Sequence, residues 1–217
     1  MQKHFLIVCV LAFAQAQKNK STLFAPRLGI NWGQYRTKAD DVASRSYWGG
    51  GFHGALGLQH QLDPKGWWAI QGEIGVTQRR STDRNLLYDY RYNLWGADIA
   101  VLGVWRWMRK FDALFLEAGP SSSILIYGKY WRRDNLTKEE ETRRVQFGRG
   151  EARDVRRGEV AFNLGIAAGY LAGPGYLTAG MRFWHGINNI GSGLFQRWHN
   201  YGVLMTLSYW YDDSLRD

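Results

Sequence analysis

Apolar side chains alternate with polar or small ones along most of the chain after residue 24. In the stretch 67–77, Trp68, Ile70, Ile74 and Val76 would lie on one face of an extended strand, and the residues between them are mostly polar or glycine. The same period of two recurs over 160–171 and 200–209. A period of two predicts β-strands.

Eight such segments can be delimited. They are Phe24–Tyr35, Gly50–Leu62, Trp67–Arg79, Tyr90–Trp107, Ala113–Tyr127, Gly158–Leu171, Gly175–Ile187 and Trp198–Tyr211. Short connections (63–66, 108–112, 173–174) alternate with long ones (36–49, 80–89, 128–157, 188–197). An even number of strands, with tight turns at one end and long loops at the other, is typical of bacterial transmembrane β-barrels.

A soluble β-sandwich and a lipocalin-like cup produce the same alternation. A soluble barrel has its large apolar side chains inside, whereas a membrane barrel has them outside and a polar or small-residue lumen. The face opposite the aliphatic residues is rich in Gly, Ala, Ser, Asn and Gln, which would make a poor hydrophobic core. We therefore predict an all-β fold, an eight-stranded antiparallel up-and-down transmembrane β-barrel.

Aromatic residues support this prediction, because Trp and Tyr favour the membrane interface. One group lies beside the short turns or the C-terminus and a second beside the long loops: Trp67, Trp68, Trp105, Trp107, Tyr176, Trp210 and Tyr211, then Tyr47, Trp48, Tyr88, Tyr90, Tyr130, Trp131, Trp184 and Trp198. We expect these groups to form two aromatic girdles.

The stretch 160–181 contains no charge and is long enough for a membrane-spanning helix. Gly173-Pro174-Gly175 interrupts it, and this tripeptide is a turn signal between two alternating segments. The sequence therefore favours a hairpin at this position.

The N-terminus has the pattern of a secretory signal peptide. Lys3 and His4 precede an apolar stretch over 5–13, and Ala14-Gln15-Ala16 is an A-x-A cleavage site. We expect residues 1–16 to be removed and the barrel domain to occupy 17–217. Cys9, the single cysteine, falls in the removed segment, and Leu6-Ile7-Val8 lacks the small residue expected before a lipid-modified cysteine.

The formal net charge of +9 first suggests nucleic acid as a partner. Export from the cytoplasm argues against nucleic acid as the partner. Outside a bacterial inner membrane, lipid phosphate is the alternative anion. The composition, with 26 glycines and 33 aromatic residues (11 Trp, 12 Tyr, 10 Phe), also argues against a helical bundle.

Three short glycine-containing runs carry a resemblance to a known family: Leu116–Pro120, Asn163–Tyr170 and Arg182–Ile190. Their order, before a closing aromatic strand, resembles the PorT-like outer-membrane β-barrel family of Bacteroidota, in which Gln after the cleavage site, here Gln17, is also common. The resemblance implies an eight-stranded outer-membrane barrel and, for some relatives, a role with the type IX protein export machinery. It supplies no catalytic motif.

Charged residues fall on the predicted inner face. Glu73, Asp98 and Glu117 have the inward phase on three consecutive strands, and Arg27 and Arg182 have it on the first and seventh. An eight-stranded barrel is narrow enough for side chains to meet across its interior. We expect these five residues to form one buried ion-pair cluster that plugs the lumen.

The most charged segment is 129–157, where arginines alternate with acidic residues. A solvated loop is the default interpretation. The alternative is contact with lipopolysaccharide phosphate or a partner protein, because arginine is a planar donor suited to phosphate. The candidates are Arg132, Arg133, Arg143, Arg144, Arg156 and Arg157.

Catalytic signals are weak. Ser46, His53, His185 and His199 lie near the predicted girdles or loops, but the sequence has no Gly-x-Ser-x-Gly elbow and no His-x-x-x-His pair. We therefore expect no enzymatic activity, no cofactor and no metal.

The sequence thus predicts a non-enzymatic integral outer-membrane protein with a structural or interaction role, accessory to a larger assembly such as type IX export. A small pore and a lipid A-modifying enzyme are the alternatives. The expected partners are outer-membrane lipid, lipopolysaccharide and other outer-membrane or secretion-system proteins, and not nucleic acid. The long loops are expected to be extracellular and both termini periplasmic.

Overall fold

The computed structural model describes residues 22–38, 45–63, 65, 67–108, 112–148, 155–190 and 197–211, and the predicted signal peptide lies outside them. The described residues form nine strands: β1 Thr22–Lys38, β2 Arg45–Gln61, β3 Trp68–Arg84, β4 Tyr88–Met108, β5 Asp112–Asp134, β6 Glu140–Arg144, β7 Gly158–Leu171, β8 Gly175–Gly186 and β9 Arg197–Tyr211. None of these residues belongs to a helix that is long and apolar enough to cross a membrane.

Eight of the strands close into a barrel. β1 to β5 pair in chain order, β5 pairs with β7, and β7, β8 and β9 continue to β1, which closes the sheet. Every pairing in this ring is antiparallel. The predicted eight-stranded antiparallel up-and-down barrel is therefore confirmed, and β6 adds a short ninth strand to the end of β5.

The two faces of the barrel have opposite chemistry. Large apolar side chains are exposed on the outside, including Leu28, Phe52 and Leu164. The inside holds buried polar and charged side chains, including Gln59 and Gln71. This distribution is the one expected when lipid is the solvent outside the barrel, because only an outward apolar surface avoids burying polar groups in hydrocarbon.

The strands continue beyond the predicted segments at the end with the long connections. β3 runs to Arg84 and β4 starts at Tyr88. The prediction of a long loop over 80–89 is therefore wrong, because a tight turn joins these two strands. β5 likewise continues to Asp134 and is followed by β6, so part of 128–157 is strand. We call the four strand parts 80–84, 88–93, 129–134 and 140–144 the strand extension.

Cross-strand ring contacts stabilise the strand extension. The Tyr92 ring on β4 lies 6.1 Å from the Tyr130 ring on β5, and the Arg91 guanidinium lies 4.4 Å from the centre of the Trp131 ring. The turn between β5 and β6 is held by Asp134, whose carboxylate accepts hydrogen bonds from the backbone N–H groups of Thr137 and Leu136. These bonds hold the pKa of Asp134 below its usual value.

The aromatic girdles were predicted wrongly at four positions, because Tyr130, Tyr176, Trp184 and Trp210 are all buried. Trp184 is only 7% exposed and packs inside the barrel against Ala161 and Leu204. Gly202 makes room for the indole, since a Cβ at this position would lie 2.3 Å from the Trp184 ring. Trp184 shares the inward phase of Arg182, two residues earlier, so alternation should have outweighed the preference of Trp for the interface.

Candidate functional site

The middle of the lumen holds a buried cluster of two arginines and two glutamates. The Arg182 guanidinium donates Nη1 and Nη2 to the two carboxylate oxygens of Glu73, at 2.6 and 2.9 Å. Its Nε donates to Glu117 Oε1 at 2.7 Å. Arg27 forms a second ion pair with Glu73 and lies 3.5 Å from Glu117. We call these four residues the central cluster, and all are nearly inaccessible to solvent.

Four different strands bring the central cluster together. Arg27 lies on β1, Glu73 on β3, Glu117 on β5 and Arg182 on β8. Gly165 faces Glu117 in the register, and a Cβ there would lie 2.7 Å from Glu117 Oε1. This glycine therefore leaves the space through which the Glu117 carboxylate reaches Arg182.

Asp98 does not join the central cluster, and this part of the prediction is wrong. Asp98 pairs in register with Gly75, two residues beyond Glu73 on β3, so it lies closer to the strand extension. Its carboxylate forms an ion pair with Arg79 at 3.0 Å and accepts a hydrogen bond from Thr77.

Arg79 is the centre of a second cluster, which was not predicted from the sequence. It also pairs with Glu159 on β7 at 2.6 Å, and Glu159 accepts a hydrogen bond from the Asn200 side chain at 2.7 Å. We call Arg79, Asp98 and Glu159 the outer cluster. The signal was present in the sequence, because Arg79 shares the phase of Glu73 and Glu159 shares the phase of Asn163.

A cavity of only about 50 Å³ separates the two clusters. Its wall includes Arg79 and Asp98 from the outer cluster, Glu73 and Arg182 from the central cluster, and the small residue Ala100. At the short-turn end, Arg106 is fully buried and donates to Gln59 at 3.2 Å. The described side chains thus fill most of the cross-section between the clusters, since a cavity of this size holds only a few water molecules.

The six arginines predicted to contact phosphate or a partner lie in different environments. Arg132 pairs with Glu141 at 2.9 Å, Arg133 with Glu140 at 4.0 Å, and Arg143 with Glu141 at 3.7 Å. Arg144 forms no ion pair with a described carboxylate, and Arg156 and Arg157 are exposed just before β7. These arginines therefore do not converge on one site.

The candidate catalytic residues are also separated. Ser46 and His53 are seven residues apart on β2, which corresponds to roughly 20 Å along a strand. His53 lies inside the barrel, where its Nδ1 is 2.8 Å from the Thr77 hydroxyl. Within the part of the chain that the structure describes, no group of three His, Cys, Asp or Glu residues is arranged to hold a metal ion.

Comparison with known proteins gives one family match. A family model described as "Outer membrane protein beta-barrel domain" matches residues 13–192. No curated protein matches the chain.

Several solved structures are similar in fold. Ail of Yersinia pestis is 13% identical, covers 86% of this chain and 97% of its own, and has a TM-score of 0.39. Neisserial surface protein A is 9% identical, with 86% and 96% coverage and a TM-score of 0.43. OprG from Pseudomonas aeruginosa is 10% identical, with 89% and 97% coverage and a TM-score of 0.48.

Proposed function

Because the chain belongs to the outer membrane protein β-barrel domain family, we propose that it is a closed, non-enzymatic barrel that serves as an interaction scaffold in the bacterial outer membrane. In this proposal the signal peptide 1–16 is removed on export. The strand extension faces the cell exterior, and both ends of the mature chain face the periplasm.

The observation that carries the proposal is the filling of the lumen by two charge clusters. A pore needs a continuous water path, but the central and outer clusters place three arginines and four carboxylates across the interior. Five of these seven groups each form two ion pairs, namely Arg27, Arg79, Arg182, Glu73 and Glu117. Moving them apart would leave uncompensated charges in a narrow interior.

The strand extension supports an interaction role. It continues the barrel as paired strands held by ring contacts and a hydrogen-bonded turn, so its charged side chains occupy fixed positions. A rigid, charged projection is suited to binding another component of the outer membrane, because little conformational entropy is lost on binding. The resemblance to PorT-like barrels makes type IX export components the first partners to seek by cross-linking in native membranes.

We expect the purified protein to show no stable open channel in planar lipid bilayers. Ions would need to pass two clusters separated by a cavity of about 50 Å³. The measurement is single-channel recording in 1 M salt, with a general porin as the positive control. Steady, large conductance would support the small-pore alternative and contradict the proposal.

A further inference from the structure

A groove of about 530 Å³ lies on the outer surface where the strand extension leaves the barrel. It crosses the outward faces of β1 to β6. The outward side chains that line it include Ile30, Trp32, Phe52, Arg80, Arg91 and Lys129. We call this feature the outer groove. Inward residues, among them Asn31, Ser81 and Tyr130, also line its floor, and it contains no residue of the two clusters described above.

The register arranges the outward charges of the strand extension in rows. In the row farthest from the barrel, Arg84, Asp89, Arg133 and Glu140 are neighbours on successive strands, so the charges alternate in sign. Arg84 lies 3.8 Å from Asp89, and Arg133 lies 4.0 Å from Glu140. The charges in this row therefore neutralise one another.

The row at the outer groove is not neutralised. Arg80, Asn93, Lys129 and Arg144 are neighbours on the same four strands, and Arg91 lies between the two rows. None of these four cations forms an ion pair with a carboxylate among the described residues. Lys129 and Arg144 are directly opposite each other, an arrangement of like charges that destabilises a sheet unless an anion binds.

The opposite side of the outer groove is apolar and faces the membrane. Phe52 is 61% exposed and Trp32 40% exposed, and Ile30 lies beside them on β1. Lys129 is only two residues beyond Tyr127, whose ring is also exposed, and Asn93 is two residues from Trp95. The cations thus lie roughly 7 Å beyond the apolar surface, the depth at which lipid headgroups meet acyl chains.

We propose that the outer groove binds a phosphorylated glycolipid of the outer leaflet. Arg80, Arg91 and Lys129 bind its phosphate, since guanidinium and ammonium groups form strong charge-assisted hydrogen bonds with phosphate oxygens. Trp32 and Phe52 contact the first part of an acyl chain. This inference rests on the proposed orientation, with the strand extension outside the cell.

A run of three glycines forms the floor of the outer groove. A Cβ at Gly49 or Gly51 would lie 2.2 or 1.9 Å from the carbonyl oxygens of Arg80 and Gln78. At Gly50, in contrast, the nearest atom would be Trp32 Nε1 at 3.6 Å. A large side chain is therefore tolerated at Gly50 but would occupy the groove.

The test measures retention of bisphosphorylated lipid A by the full mature chain in detergent micelles, using native mass spectrometry. Binding to the triple variant R80Q/R91Q/K129Q should be at least tenfold weaker than binding to the wild type. The matched control, R84Q/R133Q/R157Q, removes the same charge from paired or distant sites and should change binding less than twofold. Equal losses in both variants would overturn the proposal and indicate diffuse electrostatic attraction.

A second pair of variants tests the groove without changing charge. Gly50→Phe should weaken lipid A binding as the triple variant does. Gly72→Phe is its control, because Gly72 is an outward glycine on β3 with no atom within 4 Å of an added Cβ. Unimpaired binding by Gly50→Phe would contradict the assignment.

Competitor ligands identify the source of the phosphate. Dephosphorylated lipid A with the same acyl chains should bind at least tenfold more weakly than bisphosphorylated lipid A, and inorganic phosphate at 10 mM should not displace the lipid. Equal binding of the dephosphorylated lipid, or displacement by free phosphate, would refute a phosphoglycolipid site. These outcomes are independent of channel recording, so loss of this site and failure of the closed-scaffold proposal are distinguishable.

Discussion

Replacing Arg182 with alanine should lower the free energy of unfolding of the barrel by about 3–5 kcal/mol. The guanidinium donates two hydrogen bonds to the Glu73 carboxylate and one, at 2.7 Å, to Glu117. Without it, two buried carboxylates share Arg27 alone, and one negative charge is left uncompensated. Equilibrium urea unfolding in phospholipid vesicles, followed by the difference in gel mobility between folded and unfolded barrel, measures the change.

The double variant R182A/E117Q separates charge imbalance from lost packing. It restores neutrality, with Arg27 opposite Glu73, so it should be more stable than R182A even though it carries a further substitution.

Glu117→Gln alone should lower the free energy of unfolding less than Arg182→Ala does, because the amide keeps hydrogen-bonding capacity. Arg157→Ala, at an exposed site, should change stability by less than about 0.5 kcal/mol. An unchanged free energy of unfolding in Arg182→Ala would mean that water in the lumen screens these charges.

Replacing Arg79 with alanine should lower the free energy of unfolding by about 3 kcal/mol, because it leaves buried carboxylates uncompensated at the other end of the cavity. Asp98 and Glu159 would lose their shared cation, and Glu159 is almost fully buried. The neighbouring Arg80 is an internal control, because it points outward and forms no ion pair with a described carboxylate. The same unfolding assay should show a change below about 0.5 kcal/mol for Arg80→Ala. Equal effects at the two positions would contradict the inward assignment of Arg79.

The barrel was predictable from the sequence because its determinant is local. Alternation in β7, for example, places Phe162 and Leu164 outside and Asn163 inside without any knowledge of partner strands. The same alternation correctly assigned Arg27, Glu73, Glu117 and Arg182 to the interior, where they contact one another.

Features that depend on register or on strand bending were not predictable in this way. Asp98 has the inward phase, but the stagger between β3 and β4 decides which cation it meets. The outer groove lies close to two irregularities in pairing, between Trp48 and His53 on β2 and between Trp95 and Gly96 on β4. Alternation along one strand contains no information on the register between strands or on strand bending.

The strands of the extension were missed for a different reason. Charges at Arg132, Arg133 and Glu140 interrupt the apolar alternation, so the segment has the composition of a solvated loop. Its stabilising interactions are between strands, such as the Arg91–Trp131 ring contact and the Arg132–Glu141 ion pair. Pairs of this kind become visible only once the register is known.

The central claim is that side chains close the lumen between the two clusters, and a single introduced cysteine tests it directly. Ala100 is buried and lines the cavity between the clusters, and the predicted mature chain has no other thiol. Thr142→Cys, on the exposed strand β6, is the accessible control. With a membrane-impermeant maleimide applied to the folded protein in vesicles, the closed lumen predicts that Ala100→Cys reacts at least 100-fold more slowly than Thr142→Cys and becomes reactive on unfolding. Equal labelling rates in the folded state would show an open aqueous lumen and contradict the account.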